Sequence, residues 1–302
     1  MADNLINRST RTIGTAGIEV GPLSFGLWRF TTPDVSQAQG LIEAALDAEM
    51  NLIDTADVYG FDWGGTGFGA VEELLGRVLA AAPELRDRMI LATKGGIRPP
   101  TPYDSSSRAL RQACEDSLRR LGVDQIDIYL IHRPDMLTHP AEVAETLTGL
   151  RDEGKIREVG VSNHTPAQTA ALQAHLDFPI GVNQLEFSAA VITPMRDGSF
   201  DQAMELDIAT MAWSPLAGGR LATGEGVRPE LVDTLDRLAN REGVARSVVA
   251  LAFVLAHPSR PITIIGTQTP DRITEAQAAL GITLDRNDVY DIIEASEGVP
   301  LP

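Results

Sequence analysis

IDIYLIH (126–132), HPAEVAETLTGLRDEGK (139–155) and IREVGVS (156–162) are consecutive pieces of one segment of the chain. The outer two are short and almost continuously apolar, as a parallel strand buried on both faces requires. The middle piece has helical spacing, and Pro140 stands near its start, a favoured first-turn position. The three pieces therefore read as one strand–helix–strand unit. Six more strand-like runs flank it: PLSFGLW (22–28), MNLIDTA (50–56), MILATK (89–94), IGVNQLE (180–186), IATMAWS (208–214) and ITIIGT (262–267). Helical patterns cover 35–49, 106–122, 165–175, 230–243 and 246–257. Gly122 is placed to cap the second of these, and Thr165 with Pro166 to open the third. Eight strand-like runs alternating with helices predict an α/β fold, a (β/α)8 TIM barrel. The other candidate, a doubly wound open sheet, wants a GxGxxG turn after its first strand. None follows residues 22–28. RTIGTAGIEVGPLSFG (11–26) has a glycine turn between two strand-like pieces, and predicts an N-terminal β-hairpin capping the barrel bottom. No composition break divides the chain, so residues 1–302 read as a single domain.

Charge narrows the function. Among 302 residues, 25 Lys and Arg stand against 42 Asp and Glu, a net charge of −17. Such a chain lacks the basic footprint that nucleic acids or anionic membranes require. Its single cysteine, Cys114, excludes a disulfide scaffold and a cysteine-based zinc cluster, and no metal site is read. The opening MADNLINRSTRTIG has no apolar signal core, and no run approaches a membrane span. The expectation is a soluble cytoplasmic protein, monomeric or a small homo-oligomer, acting on a small molecule. Aromatic residues are uneven: of 8 Phe, 3 Trp and 4 Tyr, seven fall between 25 and 68. Several sit among Gly, Asp and Thr, which hints at a pocket wall on loops.

In a TIM barrel the chemistry sits at the C-terminal strand ends. Here the second run leads to Asp54, with Tyr59 just beyond it; the third ends in Lys94 and the fourth in His132. Any one of these alone fits a loop cap, a snorkelling strand end or a structural histidine. Three ionisable groups ending successive strands are costly to bury unless paired, and an Asp–Lys pair beside a Tyr offers both compensation and chemistry.

With NLIDTADVYG (51–60), LATKGG (91–96), DQIDIYLIHRPD (124–135), GKIREVGVSNHTPAQ (154–168), VNQLEFS (182–188), WSPLAGGRL (213–221) and TPDRITEA (269–276), the sequence resembles an aldo-keto reductase of bacterial type over nearly its whole length. The resemblance implies NAD(P)H-dependent reduction of an aldehyde, ketone or sugar-like carbonyl, with NADP(H) favoured over NAD(H) and no Rossmann fold. It implies a tetrad of Asp54, Tyr59, Lys94 and His132. Tyr59 would donate the proton, Lys94 would lower its pKa from about 10, Asp54 would hold Lys94, and His132 would orient the carbonyl. Ser162, Asn163 and Gln184 would hold the carboxamide, and Trp213 would stack on the nicotinamide. Ser214, Leu216, Gly218 and Arg220 would meet the pyrophosphate. Gly266, Thr267, Arg272 and Glu275 would meet the adenosine end. Many relatives carry a Lys just after the last strand and an Asn after the later Glu; this chain has Gly266 and Ala276. Trp28, Phe30, Phe61 and Trp63, with Phe68 nearby, would line the substrate pocket. The alternatives in other classes are a cofactor-binding regulatory subunit of the same fold and a Schiff-base lyase using Lys94.

Overall fold

A computed structural model describes residues 3–61 and 63–301 of the chain. Eight parallel strands close into a barrel. They are β3 (Leu23–Gly26), β4 (Leu52–Asp54), β5 (Ile90–Gly95), β6 (Ile126–Ile131), β7 (Ile156–Ser162), β8 (Val182–Glu186), β9 (Ala209–Trp213) and β10 (Ile262–Ile265). Each predicted run overlaps one of them. The order around the barrel follows the chain, and β10 closes it by pairing with both β9 and β3. Register aligns the functional ends: Gly26 pairs with Asp54, Asp54 with Ala92, and Lys94 with Leu130. β5 and β7 have the length of their runs; the other six strands are shorter, and five of them (β3, β4, β6, β9 and β10) give up residues at the C-terminal end, where the chain leaves the sheet to build the loops at its mouth.

The hairpin is present as β1 (Arg11–Ile13) and β2 (Ile18–Val20), antiparallel, with Ile13 opposite Ile18. Ile13, Ile18 and Val20 are buried in one cluster with Leu52, Ala92, Ile128, Val182 and Ile262 from the early parts of the barrel strands. This is the N-terminal end of the barrel, which the hairpin closes. Buried Glu158, on β7, accepts the backbone N–H of Ala16 in the hairpin turn. A closed bottom leaves the C-terminal mouth for ligands.

The expected caps form. Gly122 ends helix Ser107–Leu121 in a left-handed conformation, φ 68°, and Thr165 with Gln168 makes a capping box on Pro166–Gln173. Helices Ala70–Ala81, Ser199–Leu206 and Arg286–Glu297 had no counterpart in the sequence reading. The first follows Gly69 at φ 83° and the second follows Gly198 at φ 84°, neither with a side-chain cap, so the usual start signal is missing. Helix Ala70–Ala81 matters most. It supplies the crossover that lets β4 and β5 run parallel, and it seats Glu72 behind the site.

Candidate active site

The site grows from two adjacent strand ends. β4 ends in Asp54 and β5 carries Lys94, both almost fully buried. Lys94 Nζ donates to Asp54 Oδ2 at 2.8 Å, to the Thr55 carbonyl at 2.8 Å and to Tyr59 Oη at 3.4 Å. The three ammonium donors are thus all used. Backbone bonds carry the ladder past the strands: Thr55 N–H donates to the Ala92 carbonyl, and Asp57 N–H to that of Lys94. A turn closed by Tyr59 N–H on the Ala56 carbonyl then brings the phenol back over the lysine. His132 N–H donates to the Gly95 carbonyl, and its ring meets the Tyr59 ring edge-on at 5.8 Å between centroids. Gly95 is required: a Cβ there would stand 2.1 Å from Tyr129 Oη.

Behind the lysine strand lies a buried clasp that the sequence reading did not single out. Thr93, the neighbour of Lys94, donates to Glu72 Oε1 at 2.6 Å, and Arg120 Nε donates to Glu72 Oε2 at 2.7 Å. Its only sequence signal is a Glu one turn into a helix that itself lacked a start signal. The clasp ties β5 to two helices.

Electrostatics follow from burial. Burial works against the Lys94 ammonium, but Asp54 and Tyr59 outweigh it and hold its pKa above the usual value. The Tyr59 phenol is pushed up by burial, with Lys94 pulling it down by less. The sequence expectation of a net lowered tyrosine is therefore corrected: desolvation of the phenolate exceeds the help from one paired ammonium. Burial, then the charges of Lys94 and Arg133, drives the His132 pKa well below the usual value, so this ring is neutral at physiological pH.

The residues assigned to the carboxamide form a chain of hydrogen bonds into the same pair. Trp213 Nε1 donates to Asn163 Oδ1 at 3.0 Å, and Asn163 Nδ2 to Ser162 Oγ at 2.8 Å. Ser162 Oγ donates to the Gln184 carbonyl at 3.0 Å, and Gln184 Nε2 to Asp54 Oδ1 at 2.8 Å. Gln184 thus occupies the second oxygen of Asp54, a role the sequence reading did not assign. Asn163 sits at φ 57°, a conformation asparagine tolerates better than most residues. Arg133, also unassigned, lies over the Trp213 ring at 5.7 Å.

The loop after β9 folds on Ser214, whose Oγ accepts the Gly218 N–H. Gly218 and Gly219 have φ of 73° and 102°, and a Cβ on either would meet no atom within 4 Å. That open border fits a diphosphate, with Arg220 and the half-buried Leu216 beside it. Arg272 and Glu275 are exposed on helix Pro270–Ala276, and Gly266 and Thr267 precede that helix. Among the described residues neither Arg272 nor Glu275 has a side-chain hydrogen bond to protein, which leaves both free for a nucleotide.

Trp28 and Trp63 come together, centroids 5.1 Å apart, and Phe61 is exposed nearby in sequence. Phe68 instead stacks under Arg120, at 5.8 Å. Phe30 is fully buried in the core. The expectation that it lines the pocket is corrected: a turn closed by Phe30 N–H on the Leu27 carbonyl accompanies a side chain packed inward.

A family model described as the aldo/keto reductase family matches residues 22–297. The chain belongs to the aldo/keto reductase family. This reductase is 48% identical to the 6-dehydroglucose reductase of Novosphingobium aromaticivorans, with all of each chain covered. It is 34% identical to the 6-dehydroglucose reductase of Agrobacterium fabrum, covering 93% of this chain and 96% of that one. Among solved structures, an aldo/keto reductase from Klebsiella pneumoniae in complex with NADP and acetate matches with a TM-score of 0.77 and 27% identity. That match covers 98% of this chain and 97% of the other. Oxidoreductase chemistry is therefore shown. Among the described residues, no helix is long and apolar enough to cross a membrane.

Breaking the buried pair from one side strands a charge. Asp54→Asn is expected to lower stability by about 3–5 kcal/mol, read as a fall in the urea midpoint. Asp54→Asn with Lys94→Met should recover part of that loss, because no unpaired ammonium remains. A double variant as unstable as the summed single variants would contradict the pairing.

Proposed function

We propose that this reductase converts the carbonyl of a sugar-derived aldehyde or ketone reversibly to the alcohol, with NADP(H) as its dinucleotide. The observation that carries the reading is Lys94 Nζ, held by Asp54 and the Thr55 carbonyl while it points its third donor at Tyr59 Oη. The relatives named 6-dehydroglucose reductase support a sugar carbonyl as the substrate class.

When bound, the dinucleotide supplies the hydride that reaches the carbonyl carbon. The chain's own task is the oxygen. As negative charge grows there, Tyr59 Oη gives up its proton, and Lys94 stabilises the phenolate left behind. Neutral His132 donates one ring N–H to the same oxygen and fixes the carbonyl's direction. In the reverse direction Tyr59, as phenolate, accepts the alcohol proton. Ser162 and Asn163 would hold the carboxamide, Trp213 would cover one face of the ring, and Ser214, Leu216, Gly218 and Arg220 would hold the diphosphate. Arg272 would meet a 2′-phosphate through its donor fork.

Tyr59→Phe is expected to lower single-turnover reduction at least about 10²-fold while leaving NADPH affinity near the wild-type value. In the wild type the single-turnover rate should stay level from pH 6 to about 9. A raised tyrosine remains protonated through that window, and a depressed histidine takes up no proton in it. Turnover retained in Tyr59→Phe, or a limb in the profile near pH 6.5, would overturn the assignment.

Cofactor choice has its own measurement. Arg272→Ala should reduce the ratio of kcat/KM with NADPH to that with NADH by about tenfold, the scale of one charge-assisted contact. An unchanged ratio would remove Arg272 from the 2′-phosphate site.

A further inference from the structure

Arg133 stands against an aromatic ring rather than a carboxylate. It follows His132 in the loop after β6, half-buried, with its Cζ 5.7 Å from the Trp213 ring. Among the described residues its guanidinium makes no hydrogen bond and no ion pair. Carboxylates of its own loop and of the site are engaged elsewhere. Asp135 accepts the N–H groups of Ser105 and Leu137, at 2.8 and 2.9 Å, and the Thr138 hydroxyl at 2.7 Å. Asp54 serves Lys94 and Gln184. That leaves Glu186, which ends β8 in register with Trp213 at the end of β9 and is itself half-buried. Burial raises the Glu186 carboxyl, and Arg133 with Arg220 pulls it back by less. The charge of Arg133 is also felt at His132, where it adds to burial and Lys94 in keeping the ring neutral.

We infer that Arg133 makes this site discriminate between the two redox forms of its dinucleotide, favouring the neutral dihydronicotinamide over the oxidised, cationic ring, with Glu186 limiting the bias. The inference rests on the reading of Trp213 as the residue that stacks on the nicotinamide. A ring stacked on Trp213 lies within a few ring widths of the guanidinium. Like charges at that range repel more strongly in a half-buried site than in water, and the reduced ring carries no such charge. Contact with the indole holds the cation without neutralising it, whereas a carboxylate partner would cancel its field. The two cations beside the nicotinamide therefore divide their tasks. Lys94, neutralised by Asp54, serves Tyr59, while Arg133 stays charged and acts on the cofactor. The site takes up the reduced form and lets the oxidised form go, which suits carbonyl reduction when both compete for it. The same charge opposes the departure of hydride, because the ring becomes cationic as hydride leaves. Glu186, on the next strand end, offsets part of that opposition.

Equilibrium binding without turnover tests this. NADPH and NADP+ are titrated separately into wild type, Arg133→Met, Arg133→Lys and Glu186→Gln at fixed pH and ionic strength, with tryptophan fluorescence as the signal. The quantity read is the ratio of Kd for NADP+ to Kd for NADPH. Arg133→Met should lower it about fivefold, the scale of one nearby charge in a partly buried site. Arg133→Lys keeps the charge and should leave the ratio within about twofold of wild type. Glu186→Gln removes the opposing charge and should raise the ratio about threefold. Lost packing or a disturbed fold weakens both forms alike and leaves the ratio in place. A ratio unmoved in Arg133→Met, lowered as far by Arg133→Lys, or moved in the same direction by Arg133→Met and Glu186→Gln would overturn the inference. Wild type that binds neither form would overturn the functional reading itself, whereas both forms bound with an unmoved ratio would overturn the charge assignment alone.

Discussion

A lysine ammonium with no water around it must place all three of its protons, and this requirement organises the mouth of the barrel. Asp54 takes one, the Thr55 carbonyl a second and Tyr59 the third. Buried ion pairs contribute little net stability compared with apolar packing of the same volume. Their presence here is explained by chemistry. Arginine supplies 23 of the 25 cationic side chains in this chain, yet this position holds one of its two lysines. A compact tetrahedral donor can serve a carboxylate, a carbonyl and a phenol converging from different directions. A planar guanidinium would match the carboxylate and lose the other two.

The pair also sets the reach of the network around it. Asp54 has a second oxygen to satisfy, and Gln184 from the far side of the barrel satisfies it. Through the Gln184 carbonyl, Ser162 and Asn163, the bonds end at the indole of Trp213. Residues assigned to proton transfer and to nicotinamide placement thus share one hydrogen-bonded frame. On its outer side the lysine strand is held by Thr93, Glu72 and Arg120.

Much of this was legible in the sequence, for a physical reason. Parallel strands buried on both faces leave continuous apolar runs, and polar residues at their ends stand out by contrast. Asp54, Lys94 and His132 were visible in that way. Helix Ala70–Ala81 was not, because it starts from a left-handed glycine with no capping side chain, and Glu72 was hidden with it. Phe30 was placed on the pocket wall because a loop aromatic and a core aromatic look alike in one dimension; only its zero exposure separates them. The sign of the Tyr59 shift was missed because charge pairs can be read from neighbours, whereas desolvation depends on the whole enclosure. The net charge of −17 spoke only to extended surfaces. It is compatible with local cations at Arg220, Arg272 and Arg133, since fields at a cleft depend on placement.

The most direct test of the central constraint keeps the charge and changes only its shape. Lys94→Arg is predicted to remain folded and to bind NADPH, yet to lose at least about 10²-fold in single-turnover carbonyl reduction, because the fork cannot serve Asp54, Thr55 and Tyr59 together. Reduction within a few-fold of wild type would show that positive charge alone suffices, and would contradict the three-way hold on which the site is built.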